Sequence, residues 1–335
     1  MKTKELFSDL IEEIKTQASM FACNKNDMAT REMTKDLNDF KIEIEKALTN
    51  KPANWRQGQF VFNYIESVYG EIAREVQFID DIDCFYNDEK IDNFIKQSFL
   101  RLNGYLKIVA ISDLHGDLPD DLPMGDILII CGDILPLRFQ GYYEESIVWM
   151  VTKFFPWAQK LSFKKVVFIA GNHDFALEKL SITLLDKLDP LNEYDKLVYL
   201  EDEPYTYKGV KFYGTPWIQD LKRWAYYQDH DKLKEIFERI PIDTDILITH
   251  QPPKYKTCGT VLQKSSYNYL KDYGNKELND VINERPNLKY AFFGHVHSGC
   301  HDITENQNGT KLVNVSLKDE DYKSNYNPLI IEYYK

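Results

Sequence analysis

Two hydrophobic periodicities divide the chain near Gly104. Before it, apolar residues recur at three- and four-residue spacing: Leu6, Leu10, Ile11 and Ile14; Met33, Leu37, Phe40, Ile44 and Leu48; Phe60, Val61, Tyr64, Ile65, Val68 and Ile72; and Ile91, Phe94, Ile95, Phe99 and Leu100. Each stripe predicts an amphipathic helix, and the first two, whose opposite faces are rich in Lys, Glu and Asp, can pair as a hairpin. Lys51-Pro52 and the acidic Asp80-Asp81-Ile82-Asp83 read as breaks, the second as a solvated turn. After Gly104, short apolar and β-branched runs predict strands at 106–112, 127–131, 165–170, 197–200, 204–207, 210–213, 246–249, 290–294, 312–316 and 329–333. Helical patterns fall near 143–161, 176–188, 221–239 and 275–285, and Tyr205–Tyr213 reads as a hairpin turning at Lys208-Gly209. The pattern predicts a helical extension over 1–103, then an α/β domain over 104–335 with two sheets of mixed direction and helices outside them.

Polar words stand just past five of the strand runs. They are Asp113-Leu114-His115, Gly132-Asp133, Gly171-Asn172-His173-Asp174, Thr249-His250 and Gly294-His295-Val296-His297. Alone, each has an ordinary reading as a turn, a helix cap or a surface segment. Together they hold five of the seven histidines, each beyond an apolar run rather than inside one. Ligands carried past the carboxyl ends of neighbouring strands converge at one edge of a sheet. A shell of carboxylate, amide and imidazole suits Mn²⁺, Fe or Zn²⁺ better than calcium, and the lack of cysteine ligands argues against a structural zinc.

Composition narrows the readings. A formal charge of -12 opposes non-specific duplex binding, so a nucleic acid partner is not expected and a small substrate is. No stretch has the apolar length of a membrane span, and Met1-Lys2-Thr3-Lys4-Glu5-Leu6 runs into charged helix pattern without a secretory signal, which predicts a cytoplasmic protein. Five scattered cysteines without a CxxC indicate free thiols, with Cys131 a small packing residue inside its strand. The first hundred residues combine no nucleophile with a base, so they read as a packing or self-association appendage, or as a surface for a protein partner.

The order and content of the five words resemble the calcineurin-like metallophosphoesterases, whose motifs read DxH, GDxx, GNH[DE], a single histidine and GHxH. The resemblance covers Gly104 to Lys335 and implies a four-layer α/β/β/α sandwich holding two divalent metals at the sheet edge. Carried over to the matching positions, Asp113, His115 and His297 would hold one metal, Asn172, His250 and His295 the other, and Asp133 would bridge them. In such a site a shared water loses its proton near neutral pH and attacks phosphorus in line. His173 is then expected as an imidazolium that stabilises the phosphoryl oxygens or protonates the departing alkoxide, with Asp174 orienting the ring and keeping it charged.

Gly132-Asp133 is followed by Ile134-Leu135-Pro136-Leu137-Arg138, without the Asp-Arg pair of phosphoprotein phosphatases. Thr249-His250-Gln251-Pro252-Pro253, Tyr213-Gly214-Thr215-Pro216-Trp217 and Asn314-Val315-Ser316 resemble the small metallophosphodiesterases related to a brain-expressed mammalian pair, which typically have Gly where Gln251 stands. The expectation is a dimetal phosphodiesterase acting on a small, nucleotide-like phosphoester, with Mn²⁺ the leading metal. Trp217, Arg138 and Gln219 are its candidate substrate contacts, Trp217 by stacking. The alternatives are a phosphomonoesterase, a non-catalytic module built on the metal scaffold, and a nuclease, which the net acidity opposes.

Overall fold

The computed structural model describes residues 37–180, 196–219, 221–263 and 269–334. The described residues fall into two compact units, one ending at Tyr105 and including Tyr334, the other Leu106–Tyr333. The stripe at Leu6–Ile14, the start of the second stripe and the end of the 176–188 interval lie outside the described residues.

The first unit holds α1 (Leu37–Leu48), α2 (Gln57–Tyr69), α3 (Ile72–Phe78) and α4 (Ile91–Leu102). Phe40, Ile44, Val61, Ile65, Val76 and Phe94 meet in its core. The stripe expected as one helix over Phe60–Ile72 is two, because Gly70 takes a φ of 66°, a left-handed conformation that ends α2. The acidic turn is not simply solvated. Asp80 receives the Arg101 guanidinium at 2.6 and 3.0 Å, and Glu75 takes a third bond at 3.3 Å. Arg101 is buried, so its charge requires these carboxylates.

The second unit is built on two sheets. One has β1 (Leu106–Ile111), β2 (Ile127–Cys131), β3 (Lys165–Ile169) and β4 (Leu197–Tyr199) in parallel, with β13 (Leu329–Tyr333) antiparallel on the β1 edge. The other runs β11 (Thr304–Glu305), β12 (Lys311–Asn314), β10 (Tyr290–Phe293), β7 (Ile246–Thr249), β6 (Val210–Thr215) and β5 (Glu203–Tyr207). Its four inner strands are parallel and its two edge strands antiparallel. The β5–β6 turn places Lys208 and Gly209 at φ 45° and 79°, both positive as a two-residue hairpin turn of this hand requires. A further hairpin, β8 (Thr260–Gln263) with β9 (Tyr269–Asp272), has no apolar alternation to announce it.

Side-chain alternation along the strands assigns the layers. Ile108, Ala110, Ile127, Ile129, Val167 and Ile169 turn inward to meet Val210, Phe212, Ile246, Ile248, Phe292 and Val313 of the other sheet. The alternate residues Val109, Ile111, Leu128, Ile130, Val166 and Phe168 pack on Met150, Phe154, Phe155 and Trp157. These come from the π-helical turn Met150–Phe154 and α6 (Phe155–Lys160), which continue α5 (Tyr143–Trp149); the turn is a local widening of the helix just before Pro156, which lacks an N–H. A short α7 (Phe175–Leu180) follows β3. On the second sheet, Tyr213, Leu247, Ala291 and Phe293 receive Leu233 and Phe237 of α8 (His230–Phe237) and Leu278 and Ile282 of α9 (Lys276–Asn283). The result is helix, sheet, sheet, helix. Where periodicity predicts a helix over 221–239, helix begins only at His230, after Asp229 caps it by accepting from the Lys232 N–H at 3.0 Å.

Candidate metal centre

The motif residues leave the carboxyl ends of adjacent strands: Asp113 and His115 follow β1, Asp133 follows β2, Asn172 and His173 follow β3, His250 follows β7, and His295 and His297 follow β10. A parallel bridge from Ser112 to Ser316 ties the two sheets together at this edge. The loops are tight. Asp113, His115, Asp133 and His295 take φ values of 58°, 46°, 53° and 66°, left-handed conformations that non-glycine residues rarely adopt and that cluster at functional sites. Glycine sits where backbone must approach closely. A Cβ on Gly294 would overlap Ser112 Oγ and Asp113 Oδ2, and one on Gly171 would overlap Asp133 Oδ1.

Asp133 is the centre of the constellation. Its Oδ2 faces His250 Nε2 at 3.4 Å, His115 Nε2 at 3.7 Å and His173 Nε2 at 3.8 Å. On one side, His115 Nε2 lies 3.2 Å from His297 Nε2, which lies 3.5 Å from Asp113 Oδ1. On the other, Asn172 Oδ1 stands 2.9 Å from His250 Nε2 and 2.7 Å from His295 Nδ1. His250 is oriented through its Nδ1 by the Cys131 carbonyl at 2.8 Å, and His297 through its Nδ1 by the Asp319 carbonyl at 3.0 Å. This is the outer-shell arrangement that fixes imidazole ligands. Among the described residues, ligand atoms within 4.8 Å of one another form three groups suited to a metal ion: Asp113, His115 and His297; His115, Asp133 and His173; and Asp113, Asp133 and His250. Oxygen and imidazole donors at this spacing, shared through Asp133, fit a pair of divalent cations.

The electrostatics agree with a site made for cations. Burial drives His115 down to about 4 and His295 down to about 3, so both are neutral, the form that binds metal. Burial opposes charge on His250 as well, but the charge and hydrogen bond of Asp133 outweigh it and hold His250 up at about 9. For His297, burial is outweighed by the hydrogen bond and charge of Asp113, again to about 9. A cation would replace these protons.

Two expectations about His173 need correction. Asp174 does not orient its ring: the buried carboxylate accepts from the backbone N–H groups of Ile134 (3.0 Å), Leu135 (2.8 Å) and Gly171 (2.8 Å), pinning the second and third loops together. Nor does the ring have an acidic partner to keep it charged at Nδ1. Burial lowers its pKa, and its Nδ1 lies 2.7 Å from Gln140 Nε2.

The three expected substrate contacts are also elsewhere. Trp217 gives its indole N–H to Asp202 at 2.8 Å and packs edge-on against Tyr226. Gln219 is buried, donating to the Gly274 carbonyl at 3.0 Å and accepting from Asn275 at 2.9 Å, while its N–H meets Gln251 Oε1 at 2.8 Å. Gln251, at the position where the resembling branch has Gly, thus braces the histidine loop. Arg138 is exposed, with its guanidinium over the Phe139 ring at 4.7 Å. The cavity of about 200 Å³ over Asp133, Asn172, His173, His295 and His297 is walled instead by Leu221, Trp224, Glu320 and Tyr322. Trp224 lies 4.4 Å from the His173 ring, and Tyr322 lies 4.9 Å from His115 and 5.1 Å from His297, centroid to centroid. Trp224 belongs to the interval 221–239 whose periodicity predicts helix, and it lies in the part of that interval before Asp229 that is not helical.

A family model described as calcineurin-like phosphoesterase matches residues 106–299. Metallophosphoesterase domain-containing protein 1 of Homo sapiens is 29% identical over 249 residues, covering 68% of this chain and 71% of its own. A UPF0046 protein of Caenorhabditis elegans is 30% identical over 240 residues, covering 68% of this chain and 80% of its own. An uncharacterized protein of Methanocaldococcus jannaschii is 24% identical over 226 residues, covering 64% of this chain and 89% of its own. The matched segment begins at β1 and ends just past His297, so it spans every strand end that feeds the Asp133 constellation, and on this ground the chain belongs to the calcineurin-like phosphoesterase family.

Proposed function

We propose that the chain is a dimetal phosphodiesterase acting on a small phosphodiester with an aryl or nucleotide group. The observation that carries this reading is the charge of the cavity wall. Among the described residues lining it there is no Lys or Arg, and Glu320 adds a carboxylate. A phosphomonoester brings two negative charges at neutral pH and a diester one, so a site whose cationic charge would come from metals alone favours the diester. Trp224 and Tyr322 offer aromatic faces for the group esterified to phosphorus.

Asp113, His115 and His297 would hold one divalent cation, Asn172, His250 and His295 the other, and Asp133 both. When bound, such a pair supplies an acidified water nucleophile and charge against the phosphoryl oxygens. His173 Nε2 faces the same space and would donate to a phosphoryl or leaving oxygen. Mn²⁺ is the leading metal, with Fe and Zn²⁺ fitting the same donors. Among the described residues no helix is long and apolar enough to cross a membrane. We place a cytoplasmic enzyme here, with its catalytic domain over 104–335 and the helical segment over 1–103 as a packing, self-association or partner-recruiting appendage. The test is direct: Mn²⁺-loaded protein should cleave an aryl phosphodiester faster than the matching monoester. A reversal would make it a phosphomonoesterase, and no turnover of either would favour a binding module.

A further inference from the structure

We propose that Gln140 is a positioning residue for His173, fixing the ring so that Nε2 carries the proton and faces the metal centre. Gln140 Nε2 lies 2.7 Å from His173 Nδ1, and an amide N–H in that place makes Nδ1 an acceptor. A neutral imidazole whose Nδ1 accepts holds its single proton on Nε2. That atom is 3.8 Å from Asp133 Oδ2, on the side where the phosphoryl and leaving oxygens would lie.

Both partners are held by backbone. The His173 N–H donates to Asp133 Oδ1 at 2.8 Å, and the Gln140 N–H donates to the Leu137 carbonyl at 3.2 Å, closing the 3-10 turn Leu137–Phe139. Trp224 covers the ring from the cavity wall. Asp174, the neighbour in sequence, is committed to three backbone N–H groups, so an uncharged side chain from the preceding loop sets the ring. A carboxylate in the place of Gln140 would take Nδ1–H and leave Nε2 bare unless the ring were doubly protonated. The amide gives a donor at Nε2 without a positive charge on the imidazole.

The tautomer is read by long-range ¹⁵N–¹H correlation on the full chain, labelled at histidine and loaded with Zn²⁺, with the His173 signals identified by their loss in His173→Ala. Wild type should show Nε2–H, and Gln140→Glu should move the proton to Nδ1 or give the doubly protonated ring. A Nδ1–H tautomer in wild type, or an unchanged spectrum in Gln140→Glu, overturns the proposal. This readout needs no substrate, so it stands or falls apart from the phosphodiesterase reading. The kinetic consequence rests on that reading: Gln140→Ala should lower kcat roughly 10- to 100-fold, as a misplaced reacting group does, with KM and zinc content unchanged. An unchanged kcat, or a loss of metal, would overturn the positioning role.

Discussion

The Asp133 carboxylate is split between two tasks by the backbone of His173. The His173 N–H donates to Oδ1 at 2.8 Å, which leaves Oδ2 turned toward the imidazoles of His115, His173 and His250. One oxygen positions the loop after β3, and the other is offered to cations. The third loop therefore cannot shift without moving the carboxylate that joins both halves of the site.

Replacing Asp133 with Asn keeps this N–H acceptor and removes the charge. Asp133→Asn is expected to fold normally, bind less than one metal per chain where the wild type is expected to bind two, and lose phosphoesterase turnover by roughly 10³-fold or more, because the proposed site has both cations sharing this carboxylate. Plasma emission metal analysis beside a melting curve checks this, and two retained metals with full turnover would contradict the shared role.

Loading with metal should release protons. His250 and His297 are held at about 9 by Asp133 and Asp113, above the ordinary 6.5, so near pH 7 the metal-free rings are protonated and a cation must displace both protons. Affinity should accordingly rise with pH up to about 9, with both rings neutral above it. Calorimetric Zn²⁺ titration in buffers of differing ionisation heat should give about two protons released at pH 7. A heat independent of buffer would show the rings neutral beforehand.

The convergence of the candidate ligands was legible in sequence because each follows a strand that apolar runs announce, and parallel strands side by side bring their ends together. The layers were legible for the same reason. Contacts made by tertiary approach were not. Asp174 adjoins His173 in the chain, yet the side chain that meets the ring is Gln140, carried in by another loop. Trp224 and Tyr322 belong to segments whose local pattern carries no trace of the cavity, and the helical periodicity over 221–239 hid the first of them. Trp217 and Gln219 looked available because polar and aromatic side chains after a strand resemble a binding loop, whereas here Trp217 donates to Asp202 and Gln219 accepts from Asn275 within the fold.

Gly171→Ala tests how closely the loops are fitted. Its Cβ would overlap Asp133 Oδ1, sit 2.5 Å from Asp133 N and 2.7 Å from His250 Cε1, contacts that only backbone movement relieves. The expected cost is about 1–3 kcal/mol of stability, with weaker metal binding. Denaturant unfolding of the metal-free and loaded forms measures both, and wild-type values in each would refute the close fit.

Trp224→Ala and Tyr322→Ala should raise KM for an aryl phosphodiester while leaving a methyl diester of similar leaving group little changed. A lost aromatic contact of about 0.5–1.5 kcal/mol corresponds to roughly 2- to 12-fold in KM. Equal effects on the two substrates would remove both rings from substrate recognition.

Four of the putting-together steps of this centre are finished by the chain itself. Asp113 N–H donates to the Gly132 carbonyl at 3.1 Å, His115 N–H to the Asp133 carbonyl at 2.8 Å, Gly116 N–H to the Ile134 carbonyl at 3.0 Å, and His295 N–H to the Asp113 carboxylate at 3.2 Å. These bonds hold the left-handed residues in conformations that cost about 1–3 kcal/mol each. A cation arriving here meets a cage rather than a set of loops to be gathered. The pace of loading is then governed by how fast the ion sheds its own water, which sets slowly dehydrating Mg²⁺ behind softer, faster-exchanging ions in any race for the site.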